Sequence, residues 1–437
     1  MQSDSGRYEA NETTRRDFLK RSTVAAVAGL AGLAPTAAQA ASEAKGKRIG
    51  VGFIGAGGRS HGHMSMVQYL KEQENFPVDL IAVCDVYRPR MEQKKDAFKM
   101  PRGTMNYKEL LEDPEVDLVC IATPDHIHGY QAIDALQAGK DVYCEKPVTH
   151  WRQFDLTKRL NEVVTQSDRV FQLGTQAMSD SAWHQMKALV LDGLIGQPIY
   201  GETGFFRIGD WGERNMPVDD PNIQPGPDLD WEAFLGDSPE RPFSVDRFFR
   251  WRLFEDYAGG PVTDLFPHCL TQVIDILGVG FPDTVVATGG IHRYSYALRD
   301  VPDTFNMLAQ YPENVTIAVL GTNGNDHNTL PARGSGQRSP VIRGWDGTLT
   351  IENNKNILFT PVSVKGAKEP RRFPIERAEH NLDHWKNLIA CCQNRGQRPW
   401  SPMDLAFKTQ TALQMAMWSW KQGKVARFDQ EHKVICI

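Results

Sequence analysis

The chain has 437 residues, 41% hydrophobic and 24% charged, a balance ordinary for a soluble globular protein of two or three domains. Its formal net charge of −5 gives no basis for a nucleic-acid partner, which needs a concentrated basic surface. Beyond the N-terminus, no segment has the long uncharged apolar run of a membrane-spanning helix.

Residues 1–40 read as an export signal. Thr14-Arg15-Arg16-Asp17-Phe18-Leu19-Lys20 is a twin-arginine pattern, Val24 to Ala34 is a short apolar stretch, and Ala38-Gln39-Ala40 is a small-x-small cleavage site. That order describes targeting rather than a helix of the fold. The expected location is the periplasm or another extracytoplasmic space, with the twin-arginine export machinery as a partner. This route carries folded, cofactor-loaded proteins, which suits a cofactor-binding chain.

From Lys47 the pattern becomes strand, glycine turn, helix, repeated. Arg48 to Ile54 is an apolar strand broken by Gly55-Ala56-Gly57-Gly58, with a helix from about His63 to Glu74. Val78 to Val83 is a second strand ending at Asp85, Val116 to Ala122 a third ending at Thr123-Pro124, and Asp141 to Cys144 a fourth, preceded by a helix around Tyr130 to Gln137. Continuous apolar strands alternating with helices predict a parallel sheet buried on both faces. After about Ser167 the texture changes. Ile199–Phe206, Thr284–Gly289, Phe305–Tyr311, Val315–Leu320 and Thr348–Ile351 read as strands of an open, mainly antiparallel sheet, two of them flanking the turn Pro312-Glu313-Asn314. Met216–Asp230 and Gly321–Gln337 read as loops, and Asn381–Cys392 and Leu405–Trp420 as helices. The expected fold class is α/β: a Rossmann dinucleotide-binding domain over 47–167, then a substrate and oligomerisation domain over 168–437. The last helices, about 380–420, are expected to pack back on the first domain.

Seven cysteines in a chain this long, without a Cys-x-x-Cys pair, do not form a disulfide framework. Cys84, Cys120 and Cys144 fall in or beside apolar strands and read as buried small hydrophobes.

Gly55-x-Gly57 after a strand and before a helix permits a tight turn and lets backbone N–H groups approach a pyrophosphate. Ser60 stands at the third small position of that fingerprint. Asp85, ending the second strand, suits the ribose hydroxyls of an adenosine and repels a 2′-phosphate, which favours NAD. Arg88 and Arg90 just beyond would offset that repulsion, so NADP stays the alternative. Cys144-Glu145-Lys146-Pro147 closes the fourth strand and directs a lysine into the ligand crevice. Much later, Asp264 and His268 lie four residues apart, one helical face, with Pro267 between them disturbing the ladder. Thr123-Pro124-Asp125-His126-x-His128 follows the third strand, where it would touch the cofactor ribose. A metal reading of those histidines, or of His61 and His63, is the weaker one, and no metal is expected.

With these motifs the chain resembles the glucose-fructose oxidoreductase, inositol dehydrogenase and rhizopine catabolism (Gfo/Idh/MocA) family: Gly55-x-Gly57, Glu145-Lys146-Pro147 and Gly-Gly preceding Asp264-x-x-x-His268 occur in order. The resemblance runs from about Lys47 to the last helix. It implies a catalytic group of Lys146, Asp264 and His268. The chemistry agrees, since a histidine with a reference pKa of about 6.5 accepts a hydroxyl proton, Asp264 would favour the imidazolium, and Lys146 would stabilise alkoxide. Expected cofactor contacts are Gly55, Gly57, Gly58, Arg59 and Asp85 from the first half of the domain. Thr123, Pro124, His128, Glu145 and Lys146 complete them. Gln176, Arg252 and Tyr257 are expected near the substrate, the last two within an aromatic and guanidinium cluster with Trp211, Trp231, Arg250 and Trp251.

Three functions fit. One is an NAD(P)-dependent oxidoreductase acting on a secondary hydroxyl of a sugar or polyol. A second is a glycoside hydrolase that oxidises its substrate transiently, eliminates, adds water and reduces again. A third is a sugar-binding relic, against which the joint presence of Lys146, Asp264 and His268 counts. The resemblance also implies a homodimer or tetramer through the open sheet.

Overall fold

Six short strands form the first sheet: Ile49–Ile54 (β1), Val78–Cys84 (β2), Arg102–Thr104 (β3), Leu118–Ile121 (β4), Asp141–Cys144 (β5) and Phe171–Leu173 (β6). All neighbours are parallel, in the order β3-β2-β1-β4-β5-β6. Every residue of β1, β4, β5 and β6 is buried. The crossover helices Gly58–Glu72 (α1), Arg88–Ala97 (α2), Tyr107–Glu112 (α3), His128–Gln137 (α4) and Phe154–Gln166 (α5) join them. Strand order reverses between β1 and β4, which opens a crevice at their carboxyl ends. This computed structural model describes residues 48–209, 216–295, 298–333, 337–364, 366 and 368–437. The expected export signal and Trp211 lie outside the described residues.

The expected third strand is thus the fourth. β3 has two of its three residues exposed, and α2 buries only Met91, so neither carries an apolar pattern. β6 is buried but only three residues long.

Ser181–Leu191 (α6) leads into a second, eleven-stranded sheet. Its central strands are Pro198–Phe206 (β7), Thr284–Gly290 (β8), Thr304–Tyr311 (β9) and Val315–Thr322 (β10); β7 and β10 are parallel, and the remaining pairs antiparallel. Ala332–Arg333 (β11), Gln337–Gly344 (β12), Gly347–Glu352 (β13), Asn356–Pro361 (β14) and Arg371–Pro374 (β15) extend one side, Ala426–Asp429 (β16) and Val434–Cys436 (β17) the other. The class is as expected: a Rossmann sheet followed by a mainly antiparallel one. The segment expected as a loop over 321–337 instead holds the end of β10 and the short β11, paired with β12. The expected Pro312–Asn314 turn joins β9 to β10, with Asn314 at φ 59°.

Between β7 and β8 the chain leaves the sheet. Trp231–Leu235 (α7) and Val245–Phe249 (α8) pack with Tyr87, Leu229 and Tyr257 into a separate apolar cluster. This cap docks on the end of β2, where Asp230 N donates to Val86 O (2.9 Å) and Arg88 N to Asp228 O (3.0 Å). Pro261–Asp264 (α9) and Phe266–Leu277 (α10) follow, the latter buried under the second sheet. Asn381–Gln393 (α11) packs on α1, and Met403–Gln422 (α12) on α5 and β8. Trp385 of α11 stacks on Tyr143 of β5 with centroids 4.9 Å apart.

Candidate active site

The glycine turn follows from local sterics. Gly55 has φ 95°, and a Cβ there would sit 2.6 Å from Ala122 O, so any side chain is excluded. Gly57 caps α1 with no side-chain hydrogen bond, and the first turn carries no acidic residue. The first N–H groups and the positive end of the helix dipole are therefore available to an anion. Space beside Gly57 and Gly58 is open. Ser60 is fully buried, so a serine satisfies the close packing of α1 at the third position. Asp85 accepts from Ala56 N (2.6 Å) and Tyr87 N (2.9 Å); burial raises its pKa and these bonds oppose the rise. Arg88 pairs with Asp228 (3.1 Å) and Arg90 with Asp219. The guanidiniums that would have welcomed a 2′-phosphate are thus neutralised by the cap. An uncapped helix end, an open glycine cradle and a half-buried carboxylate fit NAD.

Glu145 is a buried hub. Its Oε1 receives Arg59 Nε (2.7 Å), His63 Nε2 (2.9 Å) and Gln176 Nε2 (2.9 Å). Burial would raise the Glu145 carboxyl, but Arg59, His63 and Lys146 hold it far below the usual range. Trp385 Nε1 donates to His63 Nδ1 (3.1 Å), which fixes Nε2 as the protonated nitrogen of that neutral ring. Burial, above all, lowers the pKa of His63.

Lys146 leaves β5 across the cis Lys146–Pro147 peptide. Its Nζ donates to Asp264 Oδ1 (2.8 Å) and to Asp264 O (2.7 Å), which leaves one ammonium hydrogen for a ligand. Arg252 Nε and Arg207 Nη2 lie 3.4 and 3.6 Å from the same carboxylate. Burial alone would raise Asp264, but these three cations keep it ionised far below the normal carboxylate range. Asp264 and His268 do not share one helix, as the spacing had predicted. α9 ends at Asp264 and α10 begins at Phe266, because Pro267 occupies the first turn of a new helix where its missing N–H costs nothing. Asp264 accordingly serves Lys146 rather than an imidazolium. No hydrogen bond ties the His268 imidazole to another described residue. Burial, then Lys146, pushes its pKa down to about 3, so the ring is neutral.

A cleft of about 1530 Å³ runs from the glycine turn to this cluster, large enough for a dinucleotide and a sugar together. Gly55, Gly57, Gly58, Arg59 and Asp85 line it, as do Thr123, Pro124, His128, Glu145, Lys146, Arg252 and Asp264. His268 is not on its wall but stands close enough to feel Lys146, Glu145 and Arg59. Three of the expected residues place their polar atoms or rings against the protein itself. His128 has both ring nitrogens 2.7 Å from protein carbonyls, of Pro147 and Thr123, so it braces two loops and has no nitrogen left for a cofactor. Gln176 is buried against Tyr143 Oη (2.6 Å) and Glu145, away from the cleft. Tyr257 is fully buried in the core of the cap. Among the rest of the aromatic and guanidinium cluster, Trp251 lines the cleft, Trp231 lies in the cap, and Arg250 pairs with Asp246.

Sequence reasoning named Asp125 only within the segment expected near the ribose, and missed Arg207 and the wall from Met105 to Lys108. Only the last had a local signal, the N-cap Asn106, whose Oδ1 accepts from Lys108 N (3.0 Å). Asp125 is buried, hydrogen-bonded to Thr263, and burial pushes its carboxyl up to about 7.

Residues 49–175 match the family model described as GFO_IDH_MocA, oxidoreductase family, NAD-binding Rossmann fold. This segment is an NAD-binding Rossmann domain. Over 128 residues the chain is 34% identical to scyllo-inositol 2-dehydrogenase (NAD(+)) of Bacillus subtilis, covering 29% of this chain and 36% of the relative. Over 177 residues it is 25% identical to an alpha-N-acetylgalactosaminidase of Shewanella oneidensis, 37% of this chain and 36% of that one. The chain spans 36–42% of the length of the curated relatives it first matches. Levoglucosan dehydrogenase, solved in complex with NADH and levoglucosan, superposes with a TM-score of 0.64 over 87% of this chain and 99% of that one, at 15% identity. That likeness is one of fold.

Proposed function

We propose that this chain is an exported Gfo/Idh/MocA oxidoreductase that retains NAD and acts on a secondary hydroxyl of a sugar or polyol. The observation that carries it is Lys146 Nζ, pinned by Asp264 in the same cleft that begins at the uncapped helix α1. Gly57, Gly58 and Asp85 would hold the cofactor's pyrophosphate and ribose, and Arg59 would add a charge beside them. NAD bound there would supply the hydride acceptor for the carbinol carbon. Lys146 donates its remaining hydrogen to the substrate oxygen and stabilises charge developing on it. Neutral His268 accepts the hydroxyl proton, directly or through water, and returns it to solvent. The inositol dehydrogenase relative supports a polyol as substrate.

The twin-arginine pattern supports export. Outside the cytoplasm no free nicotinamide pool exists, so the cofactor must be recycled on the enzyme. That favours a second, redox-neutral reading, the glycoside hydrolase, which the galactosaminidase relative also supports. Val286 and Leu308 pair across β8 and β9 and remain exposed, an apolar patch suited to a second copy of the chain.

Lys146→Ala tests the site: turnover is expected to fall by roughly 10²–10⁴-fold while NAD binding persists. Unchanged turnover on the true substrate overturns the assignment. Mass spectrometry of the purified protein should find co-purified NAD(H). Incubation with p-nitrophenyl glycosides then separates the classes, since aglycone release without net NADH identifies the hydrolase.

A further inference from the structure

We propose that α7 is a strap across bound NAD, and that the cofactor leaves only when the β2 end of the strap lifts. The inference rests on the reading that NAD is retained, and names the part that retains it. Five residues, Trp231–Leu235, carry the chain from one bank of the crevice to the other. At one end Asp230 N donates to Val86 O (2.9 Å), just past Asp85 at the end of β2. At the other, Phe234 O accepts from His126 Nε2 (2.7 Å), just past Thr123-Pro124 at the end of β4. Because β2 and β4 flank β1, these banks lie two strand spacings apart, about 10 Å. The helix rises about 6 Å between Asp230 and Phe234, and a hydrogen bond at each end supplies the rest. Asp230 Oδ1 caps this short helix by accepting from Ala233 N (2.9 Å). Asp85, Val86, Thr123 and Pro124 line the cleft from the banks, and Asp230, Ala233 and Phe234 line it from the strap. A dinucleotide laid over the glycine turn at the end of β1 would therefore be enclosed beneath α7.

The two ends are held differently. At the β4 end His126 and Phe234 are both buried with rings 5.5 Å apart, and His126 lies 5.0 Å from the ring of Tyr257. The chain then runs on to Glu255, whose carbonyl accepts from His150 Nε2 (3.0 Å). At the β2 end the ion pair of Arg88 and Asp228 (3.1 Å) is exposed, and the chain before it, from Met216 to Leu229, holds no helix or strand. An exposed pair adds little, so this is the end that lifts. Lifting also parts Tyr87 from Phe248 and Phe249, whose rings it meets edge-on at 5.8 and 5.6 Å, and that packing makes opening rare.

The test is a reversible lock. Arg88 and Asp228 adjoin the antiparallel bridge of Tyr87 and Leu229, with Arg88 N donating to Asp228 O (3.0 Å), and neither lines the cleft. Such pairs hold their Cα atoms about 5.5 Å apart, a separation a disulfide spans. The full chain carrying Arg88→Cys and Asp228→Cys together is loaded with NADH under reducing conditions and then oxidised with diamide, the unmodified chain treated alike as control. Exchange against excess NAD is followed by the recovery of tryptophan fluorescence. It should slow by about tenfold or more in the oxidised protein and recover on adding dithiothreitol. Asp228→Ala, which loses only the ion pair, should instead exchange about two- to fivefold faster than the unmodified chain. The proposal is overturned if the oxidised protein exchanges as fast as the reduced one, or if the two cysteines fail to join under diamide. An unmodified chain that exchanges NADH within seconds, yet slows on cross-linking, overturns retention alone and keeps the strap.

Discussion

Lys146 and Asp264 stand 118 residues apart in the chain and 2.8 Å apart in space. Each was legible as a residue type in a motif, but their partnership was not. The i, i+4 spacing of Asp264 and His268 pointed to a shared face, and the helix break at Leu265 redirected the carboxylate to the lysine. Asp125 shows the same limit. Nothing local distinguishes it from a turn residue, whereas burial facing Arg252, Lys146, Asp264 and Thr263 gives it a carboxyl that titrates near neutrality. Its folded pKa of about 7 lies above the reference 3.8, so it is uncharged below pH 7 and negative above. As pH rises through that value the cleft gains a negative charge facing Arg252 and Lys146. The kcat should therefore fall about three- to tenfold between pH 6 and 8, because a further carboxylate beside Lys146 disfavours negative charge developing on the substrate oxygen. Asp125→Asn should flatten the profile; a profile unchanged by that substitution would show that another group titrates.

At the scale of elements, strands buried on both faces announced themselves through continuous apolar runs, and β1, β2, β5 and β7 to β10 fall within a residue or two of expectation. Elements that bury little, such as β3 and α2, left no periodic trace. The segment after Met216 read as a loop because its order comes from docking, not from its own pattern. Asp228 and Asp219 of that segment neutralise Arg88 and Arg90 beside Asp85, which ties cofactor choice to the cap. Asp219→Asn should free Arg90 and tighten NADP binding by about tenfold, with NAD affinity little changed, as measured by fluorescence titration. An unaltered NADP affinity would place Arg90 out of reach of the ribose.

At the scale of the whole molecule, the C-terminal helices return to the first sheet. Trp385 lies against Tyr143 and donates to His63, which in turn holds Glu145, so the end of the chain supports the cofactor site indirectly. Gln414 Nε2 likewise reaches His150 O at 3.0 Å. Trp385→Ala should lower unfolding stability by about 3–5 kcal/mol in urea titration, through the cavity and the freed His63 nitrogen together. Loss is expected in one cooperative transition; a Rossmann sheet that unfolds separately and unaffected would contradict this coupling.

The amino-acid sequence by itself determined the alternation of strands and helices, the glycine turn, the carboxylate after β2 and the lysine after β5, because each follows from backbone sterics or apolar periodicity within a few residues. Only the tertiary structure decided that Gln176 and Tyr257 are buried supports, that His128 braces two loops, and that Arg207 and Arg252 share the carboxylate of Asp264. Those roles depend on where a side chain's few polar atoms find partners, and partners a hundred residues away leave no mark on local spacing.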